Sequence, residues 1–164
     1  MHFEEFSREQ LPGLVRFAAV LSGDRDLAQD IVQDALVRAH ARWKRVSETE
    51  RPDLYLRKMV VNGYLSWRRR WYQRSVRAVE DTSRFTEGQV ADPAGRIADH
   101  EQLAALLAGL SRPQQAAIVL RFYEDRDDGE IAEVLGCALG TVRSHISRGL
   151  SILRARMKNE LEVA

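Results

Sequence analysis

Arg143, Ser144, Ser147, Arg148 and Ser151 recur at intervals that place them on one side of a helix, and no acid interrupts the stretch from Thr141 to Lys158. Guanidinium and hydroxyl groups arrayed in this way donate hydrogen bonds to phosphate oxygens and to base edges, which is recognition chemistry. Arg154, Arg156 and Lys158 prolong the cationic run. A second set, Asn62, Ser66, Arg69 and Arg70, lies at i, i+4, i+7 and i+8 and shares another helix face. From Arg51 to Arg77 the only acid is Asp53, set against Arg57, Lys58, Arg68 and Arg74 among others. Val60, Tyr64, Trp67 and Trp71 form an apolar stripe on the same helix, and an exposed ring there can stack on an unpaired base. A third set is acidic. Asp26, Asp30, Gln33 and Asp34 share a polar face with Val37 among them, an arrangement suited to a partner helix with arginines around an apolar centre. Each set also has a plainer reading, a solvated charged face above a core.

Bond-making chemistry has no comparable support. The sequence holds no Ser-His-Asp or Cys-His set, no HExxH and no glycine-rich phosphate loop. No histidine accompanies the acidic residues at ligand spacing, so neither a metal nor a cofactor is expected, and the chain is not read as an enzyme.

Helices must position these groups. In Asp127 to Leu153 the side chain of Asp127 can accept from the first backbone N–H groups of a helix while Glu130 reaches back, and Gly136 can take the positive φ that ends it. Thr141 is placed to cap the next helix, in which Val142, Ile146, Leu150 and Leu153 form the packing stripe. Two short helices around a tight turn, with the second able to enter a major groove, make a helix-turn-helix. A plain helical hairpin fits this segment too.

Further upstream, Phe3, Phe6, Leu14, Phe17 and Leu21 recur at helical intervals up to Ser22-Gly23-Asp24, and a second helix follows through Trp43. After a polar stretch from Lys44 to Arg51, Pro52 opens a long helix to about Arg74. The apolar period then vanishes until Asp92-Pro93-Ala94-Gly95, after which a helix near Ile97 to Ala108 and one capped by Ser111 and Gln114 complete the chain. No strand alternation occurs. The fold class is all-α, with two small helical domains, 1–75 and 97–164, joined by a flexible acidic linker, 76–96.

The net charge of +1 over 164 residues conceals two basic zones bracketing an acidic one. The single cysteine, Cys137, can make no internal disulfide and reads as a small buried residue in a reducing compartment. The amino terminus has neither a secretory pattern nor an apolar anchor, so a cytoplasmic chain without membrane insertion is expected.

Taken in order, these blocks resemble the extracytoplasmic-function group of bacterial RNA polymerase sigma factors, in the sigma-70 family. LAQDIVQDALVRAH is similar to the family's polymerase-docking helix, YLRKMVVNGYLSWRRR to its promoter-melting helix and EIAEVLGCALGTVRSHISRGLSILR to its carboxy-terminal reader. The resemblance implies that Asp26, Asp30, Gln33, Asp34 and Val37 grip the largest catalytic subunits of core RNA polymerase. It implies that Asn62, Ser66, Trp67, Arg69 and Arg70, with the stretch Lys44 to Asp53, face the −10 element of promoter DNA, where a base is turned out of the stack. Thr141, Arg143, Ser144, Ser147 and Arg148 would then read the −35 element.

Three departures stand out. Ser66 replaces the family's usual aspartate, while Arg126 and Asp128 stand where an aliphatic and an aromatic residue are usual, which predicts looser packing at the start of that helix. By its residues the acidic linker is a solvated spacer, whereas the resemblance implies that Glu80, Asp81 and Glu87 belong to a connector lying in the path of nascent RNA. An anti-sigma partner is compatible with the chain. The rival readings are an operator-binding helix-turn-helix regulator and a polymerase adaptor that reads no DNA.

Overall fold

The computed structural model describes residues 1–78 and 97–163, apart from the side chains of residues 71, 72, 75–78 and 97–101. Eight α-helices account for most of these residues, and no strand occurs among them. The first unit comprises α1 (Phe3–Ser22), α2 (Arg25–Ala41), α3 (Trp43–Ser47) and α4 (Pro52–Ala78); the second comprises α5 (Ile97–Leu107), α6 (Arg112–Ile118), α7 (Asp128–Leu135) and α8 (Leu139–Val163).

Local rules explain most boundaries. Gly23 ends α1 at φ 70°, and its N–H donates to the Ala19 carbonyl at 2.8 Å. Asp24 then caps α2, its carboxylate accepting from the N–H groups of Asp26 and Leu27 at 3.0 and 3.1 Å. Capping boxes open α6 at Ser111/Gln114 and α7 at Asp127/Glu130, as their spacing predicts. Gly136 closes α7 at φ 65°.

Three features differ from expectation. Thr141 does not cap α8: the helix starts at Leu139, and the Val142 N–H donates to the Ala138 carbonyl at 3.1 Å. The turn therefore needs only Gly136, Cys137 and Ala138, and Thr141 lies within the first helical turn. Part of the polar stretch is itself helical, because α3 buries Val46 completely. Finally α4 runs to Ala78, since nothing between Arg74 and Ala78 is a glycine or proline that would stop it. A π turn, Val119–Tyr123, follows α6, with the Glu124 N–H donating to the Val119 carbonyl at 3.1 Å.

The core of the first unit is built from Leu14, Phe17 and Leu21 of α1, Ala28, Val32 and Ala35 of α2, and Leu54, Val60 and Val61 of α4. In the second, Leu107, Ala117 and Leu120 meet Ile131, Val134 and Val142. The units pack on each other along a seam where their buried apolar residues join one cluster and polar contacts cross between them. Within it the Gln115 Nε2 donates to the Leu21 carbonyl at 2.8 Å, satisfying one of the last carbonyls of α1 from the opposite unit.

Candidate nucleic-acid and partner interface

The acidic helix presents its candidates together. Ala28, Ile31, Val32, Ala35 and Ala39 bury one side of α2, and Asp26, Asp30, Gln33, Asp34 and Val37 are all exposed on the other. Val37 is 68% exposed, an isolated apolar patch ringed by acids. Asp34 is held by Arg38 one turn on, at 3.0 Å.

On α4 the same division holds. Val60 and Tyr64 are buried, and Asn62, Ser66, Arg69 and Arg70 are exposed. Trp67 is half-buried. The side chain of Trp71 and the acidic residues Glu80, Asp81 and Glu87 lie outside the described residues.

On α8, Val142 is buried and Ile146 and Leu150 pack against the core, which turns Thr141, Arg143, Ser147 and Arg148 to solvent and leaves Ser144 half-buried. The Nε of Arg143 donates to Asp128 Oδ2 at 3.2 Å, and Asp128 also pairs with Arg121 at the π turn. The start of α7 is thus pinned by charge rather than loosely packed. Arg126 serves the same end, lying 2.9 Å from Glu130, 3.5 Å from Asp53 and 3.6 Å from Glu124. Cys137 is half-buried against the core.

Sequence reasoning missed the seam. Arg57, 6% exposed, donates from Nε to Glu124 Oε2 at 2.9 Å, across the two units. Arg51 bridges Asp53 and Glu130, both at 3.0 Å. Burial works against the charge on Asp53, but hydrogen bonds from Arg51 and the charges of Arg51 and Arg126 outweigh it and hold the carboxyl below its usual range. Glu130 is likewise lowered: burial opposes, and the Asp127 N–H, Arg126 and Arg51 prevail. Asp53 and Arg51, in turn, raise each other's preference for the charged state, the Arg51 guanidinium being raised first by Asp53 and then by Glu130. Only an arginine-rich stretch with one acid signalled any of this in the sequence.

Among the described residues no group of carboxylates, histidines or thiols could hold a metal, and no helix is long and apolar enough to cross a membrane.

The description "Sigma-70 region 2" matches residues 7–75 and "Sigma-70, region 4" matches residues 100–153. The RNA polymerase sigma-E factor of Streptomyces avermitilis is 35% identical over 99% of this chain and 86% of its own length. The ECF RNA polymerase sigma factor SigL of Mycobacterium tuberculosis is 32% identical over 88% of this chain and 82% of its own. Among solved structures, the sigma factor RpoE of Bartonella quintana, in complex with the anti-sigma factor NepR, superposes with a TM-score of 0.78 at 29% identity, covering 95% of this chain and 96% of that one. With both regions matched in order and the helices arranged as in a solved relative, the chain belongs to the extracytoplasmic-function group of the sigma-70 family of RNA polymerase sigma factors.

Proposed function

We propose that α2 docks this sigma factor on core RNA polymerase, that α4 reads and helps to melt the −10 element, and that α8 reads the −35 element. In this reading residues 1–75 form the docking and melting unit, 76–96 the tether and 97–164 the upstream anchor. As a member of its family the chain binds core RNA polymerase and confers promoter specificity at initiation. It catalyses no step itself and acts in the cytoplasm, where polymerase and template meet. The Bartonella relative is bound to an anti-sigma factor, which supports a similar partner here.

The observation that carries the reading is the two-sidedness of all three helices. Asp26, Asp30 and Val37, then Asn62, Arg69 and Arg70, then Arg143, Ser147 and Arg148 face solvent, and the opposite side of each helix is committed to the core. Phosphates and base edges match the two cationic faces, and an arginine-bearing helix matches the acidic one.

The reading also requires movement at the seam. Promoter boxes about 25 base pairs apart lie about 85 Å apart along the duplex, whereas a packed chain of this length measures about 40 Å across. Both units cannot reach their boxes while the seam is closed. Its hydrogen bonds and ion pairs suit opening, because water replaces each partner as the units part. Polymerase then holds the units apart, and linking two weak contacts raises the effective concentration at the second box.

Run-off transcription with core polymerase and promoter fragments tests this directly. New start sites should appear only when the chain is added, and the double variant R143A/R148A should suppress them. Tight binding of the chain alone to a palindromic site would instead mark an operator-binding regulator. Full activity of R143A/R148A would mark an adaptor that reads no DNA.

A further inference from the structure

We propose that Asp128 is a positioning residue that aims Arg143 at a single base of the upstream element. This rests on the reading of α8 as the −35 reader. Asp128 is the first residue of α7, yet its carboxylate reaches across the turn to the recognition helix, accepting from Arg143 Nε at 3.2 Å. Its other oxygen pairs with Arg121 Nη2. The carboxylate is thus tied to the π turn behind it and to the recognition helix in front.

The atom that is engaged matters. Arg143 is two-thirds exposed along its side chain, and an arginine in that setting samples many rotamers. A bond to Nε fixes the plane of the guanidinium while leaving both terminal nitrogens as a donor fork, the geometry that meets the O6 and N7 of guanine. A bond to the terminal nitrogens would have consumed that fork. Asp128 itself is only 24% exposed and sits between two cations, so its charge is largely compensated before phosphates approach.

A merely structural role for Asp128, as an acid in the first turn of α7, predicts something else. It would lower thermal stability without changing which base is preferred. The two roles separate in one experiment, run-off transcription by core polymerase with the full chain on templates randomised in the −35 element and, separately, in the −10 element.

R143A should flatten the preference at one −35 position. D128A should reduce discrimination at that same position about two- to tenfold, the freedom returned to one long side chain, and leave the −10 preferences intact. D128N keeps an oxygen acceptor for Nε and should recover much of the preference. D128A/R143A should be no flatter than R143A.

If R143A flattens its position and D128A does not, or if D128A weakens all positions equally in step with its melting temperature, Asp128 does not position Arg143. If R143A leaves every −35 preference unchanged, Arg143 reads no base, and the reading of α8 falls together with this proposal.

Discussion

Truncating Glu124 should destabilise the chain more than truncating Arg57, although the two form one ion pair. Arg57 and Glu124 are 7% and 9% exposed along their side chains and 2.9 Å apart. Removing one partner of a buried pair costs about 3–5 kcal/mol when the survivor is left uncompensated. The survivors here differ. After R57M, Glu124 still has Arg126 at 3.6 Å, so the cost should fall to about 1–2 kcal/mol. After E124A, the Arg57 guanidinium keeps only neutral acceptors, Gln10 Oε1 at 3.3 Å and the Asp53 carbonyl at 3.4 Å. That loss should approach about 3 kcal/mol, limited by the alternative of opening the seam to water.

The double variant R57M/E124L removes both charges and replaces them with apolar groups of similar reach, which is often neutral for buried pairs. It should therefore be more stable than either R57M or E124L alone, and a near-neutral double variant gives a coupling of about 4–5 kcal/mol in the cycle of R57M, E124L and R57M/E124L. Urea denaturation followed by circular dichroism supplies the energies. Hydrogen exchange should show faster exchange on both sides of the seam in E124A, with the α2 helix unchanged. Single variants each costing less than about 0.5 kcal/mol and adding without coupling would mean that the pair behaves as a surface contact, and the polar seam would lose its central element.

Three further outcomes follow from the geometry. Gly136→Ala places a side chain at φ 65° and should cost about 1–2 kcal/mol, seen as a lower melting temperature, with G136N recovering part of it. Acid should weaken the seam: Asp53 and Glu130 titrate below their ordinary values in the packed chain, so the stability they lend is complete above about pH 5 and drains as pH falls through those lowered values. The variant D53N/E130Q should be less stable near neutrality and lose less between about pH 6 and about pH 3, the range in which carboxylates titrate; equal acid sensitivity in a fluorescence-monitored titration would contradict it. Val37→Asp changes an exposed position, so the melting temperature should move little while affinity for core polymerase, measured by polarisation of the labelled chain, falls at least about tenfold. Unchanged affinity would remove Val37 from the docking face.

Features set within about four residues were legible in the sequence. The turn at Gly23, the boxes at Ser111/Gln114 and Asp127/Glu130, and the stop at Gly136 each follow from side chains meeting their own backbone. The three two-sided helices were legible for a related reason, since periodicity reports which face is committed to a core. Thr141 shows where that method slips. Threonine is a strong capping residue, but only three residues, Gly136 to Ala138, separate α7 from the next helix, and the first eligible carbonyl was that of Ala138. α3 escaped because five residues are too few to show a period. Its Trp43 is fixed from afar, packing on Phe3 and Phe6 and donating its indole N–H to the Met1 carbonyl at 3.3 Å.

The seam was illegible for a deeper reason. Its contacts join residues far apart in the chain, as in Arg57 with Glu124, Arg51 with Glu130 and Gln115 with Leu21. Its residue types are also those that sequence reading assigns to solvent. A wholly apolar seam would have been visible as excess hydrophobic residues on α4 and α7, but such a seam would resist parting and would leave a sticky surface on each unit once parted. On the proposed reading, in which α4 and α8 part to reach distant boxes, charges that find partners in the packed chain and water when it opens serve better. Arg126 illustrates the point. Where the family usually has an aliphatic residue, this chain has a guanidinium shared among Glu130, Asp53 and Glu124, so the position joins the polar contacts that hold the packed units together.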